Sequence, residues 1–364
     1  MLRVAFVLFA AQFVLTSPAL ADVDIQQLID DSGIEAGRVP MRDRPGWRPP
    51  AKIVLRPIPG IDADYESKLP GVEIVRVTTM NQVREHIATA DALIGFCSSD
   101  LVDAGERLNW VQIFGAGAER CLAVDAVRNG DVVLTNMQKM SSPVIAEHAI
   151  AMTLSLSRGI VQYSKVMPEG GWNRRPDSFE MIALGGRTML VVGLGGIGTE
   201  VARRASALGM TVYGTRNSSR SGPDFVEYVG LADELLELAA KADVIVNALP
   251  LTPETTGLFG AAFFDAVKPG AIFINVGRGK TVVTADLVAA LEDGRLSAAG
   301  LDVTDPEPLP SAHPLWTMEN VMITPHVAGA ASQRERHLAL LRENLTRYVA
   351  GDALLNVVDP EQGY

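Results

Sequence analysis

Short apolar runs recur along the chain, separated by stretches in which apolar residues fall at helical spacing. In the first part the runs predict strands over residues 52–55, 72–77, 92–96, 111–114 and 132–134. Strands that alternate with helices predict a parallel sheet covered on both faces. Ser142 and Pro143 are start signals for a long helix over about residues 144–158, apolar nearly all round and so buried or in an interface. A second alternating series follows, with strands expected over 188–192, 211–213, 244–248, 271–276, 298–301 and 321–323. Six strands complete a dinucleotide-binding sheet. A last amphipathic helix over about 330–350 is expected to pack back on the first domain and make it discontinuous.

The second series opens on an informative turn. Leu190, Val191 and Val192 run into Gly193, Leu194, Gly195, Gly196, Ile197 and Gly198, and an Ala- and Leu-containing helical stretch follows. Strand, G-x-G-x-x-G and helix in that order read as a dinucleotide-binding turn. Gly193 permits the turn, Gly195 lets backbone approach a pyrophosphate, and Gly198 lets helix and strand pack closely. Free N–H groups at the helix start would hold the phosphates.

The predicted fold is α/β: two doubly wound parallel-sheet lobes, a Rossmann dinucleotide-binding domain (143–325) inserted in a discontinuous flavodoxin-like substrate domain (51–142 and 326–364). Residues 22–50, rich in Asp, Arg and Pro, read as an extended arm over the surface. With 364 residues the chain is too long for one ordinary core. Its 48% apolar and 21% charged content is that of a soluble globular protein. A net charge of −11, with no basic run of five, argues against nucleic acid as a partner.

Residues 1–21 are built differently. Arg3 precedes an apolar run, and Ala19 and Ala21 form an Ala-x-Ala cleavage pattern, the layout of a Sec-type signal peptide. The expected location is therefore periplasmic or secreted, with no membrane span in the mature chain. Initiation at Met41 in the cytoplasm is the alternative. Cys97 and Cys121 would be able to pair in an oxidising compartment, but the simpler reading is two half-buried thiols. No Cys/His spacing suggests a metal.

The strand after the glycine turn ends in Tyr213, Gly214, Thr215 and Arg216, with no acid for the ribose hydroxyls of NAD. Arg216 suits a 2′-phosphate, so NADP is the expected cofactor, with NAD possible. Three strand ends then carry residues suited to carbonyl reduction: Arg278 after 271–276, Glu307 beyond 298–301, and His326 after 321–323. A cation for a carboxylate, a proton donor and an acid that keeps the donor charged are what reduction of a 2-keto acid requires.

These segments resemble the D-isomer-specific 2-hydroxyacid dehydrogenase family over roughly residues 51–360. The resemblance rests on Phe114-Gly115-Ala116-Gly117, Ala146-Glu147-His148, the glycine turn and Leu249-Pro250-Leu251-Thr252-Pro253-Glu254-Thr255. Asn275-Val276-Gly277-Arg278-Gly279, Leu301-Asp302-Val303, Glu307-Pro308 and Pro325-His326 complete it. It implies that Arg278 binds the substrate carboxylate and polarises the keto oxygen. His326 would be the acid in reduction and the base in oxidation, with Glu307 favouring its imidazolium. Gly115, Ala116 and Gly117 would hold the carboxylate from the first lobe. Asp302 would lie by the nicotinamide amide. Leu249, Pro250, Thr252, Val276, Gly277 and Gly329 would line the cofactor cleft. His148 reads as a helix-packing or interface residue. Where an aspartate is common after the glycines, this chain has Ala118, Glu119 and Arg120. The implied protein is a homodimeric reductase of a small 2-keto acid such as glyoxylate or hydroxypyruvate. An NAD(P)-binding sensor or scaffold with little turnover is the alternative.

Overall fold

In the computed structural model the described residues are 23–363, apart from 171, 173–179, 218 and 331–333. The leader expected over residues 1–21 lies outside them.

Five strands build the first sheet: β1 (Lys52–Leu55), β2 (Glu73–Arg76), β3 (Ala92–Ile94), β4 (Trp110–Gln112) and β5 (Val133–Thr135). Their order is β2-β1-β3-β4-β5 and every pairing is parallel. Side chains alternate across the strands. Ile53 and Leu55 join one buried cluster with Ile94 and Trp110, while Val54 joins another with Leu93 and Val111. Both faces are therefore covered, which is why these strands read as unbroken apolar runs.

The second sheet contains β6 (Thr188–Val192), β7 (Thr211–Thr215), β8 (Tyr228–Gly230), β9 (Val244–Asn247), β10 (Ala271–Asn275), β11 (Leu296–Leu301) and β12 (Val321–Ile323). Its order is β12-β11-β10-β9-β6-β7-β8, again parallel throughout. The sheet has seven strands where six were expected. The extra strand, β8, is a three-residue edge element that pairs only with β7. Three residues carry no readable period, and the Ser-, Gly- and Pro-containing stretch before them reads as loop.

Helix Ser142–Ser157 joins the lobes and buries Ala146, Ala149, Ile150, Met152 and Leu156 against the second sheet. At Gly300 of β11 a Cβ would lie 3.1 Å from Met152 Cβ, so glycine admits the helix at that distance. Helix Arg334–Ala350 returns to the first lobe, where Leu338, Leu341, Leu345 and Tyr348 share a core with Ile53 and Trp110.

Two expectations are corrected. The arm is not merely extended: Ile25–Ser32 is a helix, with the Asp24 carboxylate accepting from Gln26 N and Gln27 N at its start. Ile25, Leu28 and Ile29 lie on one face at helical spacing, and Leu28, Ile34 and Met41 are part of the first core. The two cysteines are not free thiols. Cys97, after β3, and Cys121, after β4, are disulfide-bonded with Cα atoms 5.8 Å apart. They are far apart in sequence, and only the parallel neighbouring of β3 and β4 brings the loops together.

The lobes share one device. A buried aspartate just before a central strand ties down the start of the neighbouring strand. Asp91 Oδ2 accepts from Ala51 N (2.8 Å) and Lys52 N (3.0 Å), and its other oxygen takes Arg107. Asp243 Oδ2 accepts from Thr188 N (2.9 Å), and its Oδ1 takes Lys268 (2.7 Å) and Arg187 (3.2 Å). Among the described residues no single helix is long and apolar enough to cross a membrane.

Burial opposes the charge on Asp243, but Lys268, the Thr188 N–H and Arg187 outweigh it and hold the carboxyl below the usual range. A depressed carboxyl contributes stability above its unfolded value, about 4, and loses it as pH falls through the folded value. Asp243→Asn is therefore expected to cost about 2 kcal/mol at pH 7 in urea unfolding, with the gap to wild type closing below about pH 4. A gap that persists in acid would show that the contribution is not ionic.

Candidate active site

The glycine turn lies where β6 meets both β7 and β9, the point at which strand order reverses. Gly193 has φ +97°, and a Cβ there would sit 2.9 Å from Leu249 Cδ2. At Gly198 a Cβ would overlap the Gly193 carbonyl. Beside Gly195 there is open space within 4 Å, at the mouth of helix Gly196–Ala207. Gly196 and Ile197 begin that helix, and Ser142 and Lys139 pack against Gly196. The turn is pinned to β7 by Gly193 N on Thr215 Oγ1 (3.1 Å) and Leu194 N on Thr215 O (2.9 Å).

Arg216 is the first residue after β7, and its backbone N–H bonds Gly230 O of β8. Its Nε is buried with no hydrogen-bond partner among the described residues. Arg220, by contrast, is engaged by Tyr228 (2.8 Å) and Glu234 (2.7 Å). An unpaired buried guanidinium N–H beside a glycine turn open to a pyrophosphate fits a dinucleotide carrying a 2′-phosphate.

The loops after β9 and β10 are fastened from below by amides. Asn247 Nδ2 donates to Asn275 Oδ1 (2.9 Å) and Thr281 Oγ1 (2.8 Å). Asn247 Oδ1 then accepts from Leu249 N (3.0 Å), and Asn275 Oδ1 accepts from Gly277 N (3.1 Å). This sets Leu249 and Pro250 against Val276 and Gly277, and a Cβ on Gly277 would lie 2.8 Å from Leu249 O. Thr252 N is held by Thr255 Oγ1 at 2.8 Å.

Arg278 follows β10 and reaches the first lobe. Its Nε donates to Glu119 Oε1 (2.9 Å) and its Nη1 to Gly277 O (2.9 Å). The Gly115, Ala116 and Gly117 loop leaves β4, tied back by Met137 N on Gly115 O (3.1 Å) and Asn136 Nδ2 on Ala116 O (2.7 Å). A Cβ on Gly117 would collide with the Arg278 guanidinium, so the loop and the cation face each other across the cleft. Gly279 has no room for a Cβ either, because Thr304 O occupies the place. That close approach sets the Arg278 loop against the loop that leads to Glu307.

His326 Nδ1 and Glu307 Oε1 are 2.6 Å apart, with both side chains about half exposed. The Nδ1 contact leaves Nε2 for proton exchange. His326 has φ +55°, a left-handed conformation that a non-glycine residue keeps only when its surroundings impose it. Asp302 does so. The Asp302 carbonyl accepts from His326 N (2.8 Å). Its buried carboxylate accepts from Val327 N (2.9 Å), Ala328 N (3.1 Å) and Thr324 Oγ1 (2.6 Å). His148, on helix Ser142–Ser157, meets Thr324 Oγ1 at 2.9 Å. The histidine read as a packing residue therefore braces the loop of the exposed one. Gly329 lies against Ile145 and Ser141, where the chain crosses back to the first lobe. Sequence reasoning missed His148, Asn247 and Thr281 as supports, and assigned Glu119 no partner. Each acts on a residue remote in sequence.

The family described as D-isomer specific 2-hydroxyacid dehydrogenase, NAD binding domain, matches residues 150–328. The chain is 34% identical to a glyoxylate reductase/hydroxypyruvate reductase of Mus musculus over 268 residues, which are 70% of this chain and 80% of the relative. It is 32% identical to a D-3-phosphoglycerate dehydrogenase of Methanocaldococcus jannaschii over 79% of this chain, a match that spans only 55% of that longer relative. An NADPH-dependent glyoxylate/hydroxypyruvate reductase of Sinorhizobium meliloti, solved with NADP and sulfate, superposes with a TM-score of 0.73 at 28% identity, covering 86% of this chain and 100% of that one.

If the Asp302 carboxylate holds the His326 loop, Asp302→Ala frees the Val327 and Ala328 N–H groups. Amide hydrogen exchange there is then expected to speed up by at least tenfold while exchange in the glycine turn stays unchanged. Unaltered exchange at both residues would remove Asp302 from that role.

Proposed function

The chain belongs to the D-isomer-specific 2-hydroxyacid dehydrogenase family, and we propose that it reduces small 2-keto acids, glyoxylate or hydroxypyruvate foremost, with NADPH. It is an oxidoreductase of the family's kind, acting on the CH–OH group with a nicotinamide dinucleotide. The observation that carries the reading is the 2.6 Å Glu307–His326 contact on the lobe that presents Arg278 to the cleft.

The bound cofactor supplies the hydride; the protein supplies orientation and charge. Arg278 and the N–H groups of the Gly115, Ala116 and Gly117 loop bind the substrate carboxylate. As the carbonyl carbon receives the hydride, His326 Nε2 gives its proton to the carbonyl oxygen, and Arg278 steadies the charge developing there. Glu307 holds the imidazole ring through Nδ1 and so fixes which nitrogen is left for the transfer. Oxidation runs the same proton path in reverse. Arg216, with its unpaired Nε, supports NADP over NAD.

Two further proposals concern the whole protein. The chain is a homodimer, an inference supported by Ile160, Met167, Trp172 and Met181, which expose apolar surface on the segment after helix Ser142–Ser157. It is exported, supported by the Ala-x-Ala leader and the Cys97–Cys121 disulfide. A chain beginning at Met41 would lack Leu28 and Ile34 and leave their places in the first core empty.

With wild type, NADPH oxidation is expected with at least one of glyoxylate, hydroxypyruvate and pyruvate. His326→Ala should lower kcat roughly 10²–10⁴-fold with NADPH affinity unchanged, and Arg216→Asp should weaken NADPH at least tenfold more than NADH. Tight NADPH binding with no turnover on any of the three acids would leave a binding protein and refute the reductase. N-terminal sequencing and sedimentation of the chain purified from its host check the other two proposals. Asp22 as first residue and a dimer mass are expected, and an intact Met1 or a monomer would refute one or the other.

A further inference from the structure

Arg278 meets the substrate with a carboxylate already at its side. Glu119 comes from the first lobe, at the start of the one-turn helix Glu119–Leu122, and accepts from Arg278 Nε at 2.9 Å. It is not a loosely placed surface acid. Ala118 just before it and Cys121 two residues on are buried, and Cys121 is tied through the disulfide to Cys97 beyond β3. A Cβ on Gly117 would lie 2.7 Å from Glu119 Oε2 as well as against the guanidinium, so the loop, the acid and the cation form one close-packed unit. Arg278 Nη1 is spent on Gly277 O, which leaves Nη2 facing the loop. Both side chains remain about one-third exposed, 29% and 37%, so an incoming anion reaches the pair without unfolding anything. Of the nearby arginines, Arg56 lays its guanidinium on the Phe96 ring, 4.7 Å from its centroid, and Arg120 is exposed; the described ion pairs put neither on Glu119.

The consequence is electrostatic. The Arg278–Glu119 pair has no net charge, so one carboxylate from the substrate makes the site singly negative and a second anionic group makes it doubly negative. Within a few ångströms in a partly desolvated cleft, such a like charge is worth on the order of a tenfold change in affinity. We propose that Glu119 is a specificity-determining residue whose carboxylate, held against Arg278, selects 2-keto acids with a single negative charge over those carrying a second carboxylate or a phosphate. The proposal rests on Arg278 as the substrate's carboxylate anchor.

Oxamate and oxalate test it, being nearly isosteric anions with one charge and two. The NADPH-loaded protein is titrated with each, following the fluorescence of the bound nucleotide, for wild type, Glu119→Gln and Glu119→Asp. Wild type is expected to favour oxamate. Glu119→Gln should shift the ratio of the two Kd values about tenfold towards oxalate, and Glu119→Asp, which keeps the charge, should leave the ratio near that of wild type. A ratio unmoved by Glu119→Gln overturns the proposal and leaves the reductase reading intact. Wild type that binds both anions with the expected ratio change yet turns over no 2-keto acid would sink the reductase reading alone. Failure of wild type to bind either anion would overturn both.

Discussion

Every strand in both sheets runs parallel to its neighbours, and the rest of the molecule depends on that constraint. Parallel strands cannot be joined by tight turns, so helices must cross over both faces, and the strands must be apolar on both sides. The same geometry puts every strand's carboxyl end at one edge of its sheet. In the second sheet that edge carries the glycine turn after β6, Arg216 after β7, Leu249 and Pro250 after β9, Arg278 after β10 and His326 after β12. The first sheet brings its own carboxyl edge, with the Gly115, Ala116 and Gly117 loop after β4, opposite Arg278. A site assembled from so many separate loops needs no long loop of its own.

Loops at a sheet edge still have to be held, and here buried polar groups hold them. Asn247, Asn275 and Thr281 form one hydrogen-bonded cluster under two loops, each amide filling its donors and acceptors with strand-end backbone or with its neighbour. Asp302 does the same under His326, where it supports a left-handed backbone. Placing these groups in the interior has an energetic cost unless every one is satisfied. The hold of Asp302 on the backbone fixes where His326, itself about half exposed, meets Glu307 at 2.6 Å.

The lobes are also joined at the chemistry. Glu119 and Arg278 are separated by most of the second lobe in sequence, yet they touch across the cleft. Helix Ser142–Ser157 makes a second link: it packs on the second sheet while its His148 braces the loop through which the chain returns to the first lobe. A movement of one lobe against the other would therefore act directly on Arg278 and on the loop that carries His326.

Local pattern was enough for the parts of this protein governed by local physics. Unbroken apolar runs marked the buried strands, the glycine spacing marked the turn at the end of β6, and Arg278, Glu307 and His326 were legible as polar residues in the loops that follow strands of an open parallel sheet. Local pattern failed where an element was too short to show a period, as with β8, or where polar residues masked an amphipathic face, as with Ile25–Ser32. Pairings between distant residues belong to the tertiary structure alone. The Cys97–Cys121 bond, the support of Thr324 by His148 and the hold of Glu119 on Arg278 each join two loops that only the packing of parallel strands and the facing of two lobes bring together. Sequence specifies what each of those side chains is able to do, but the approach of one to another is a property of the folded core, set by hundreds of contacts that no single stretch contains.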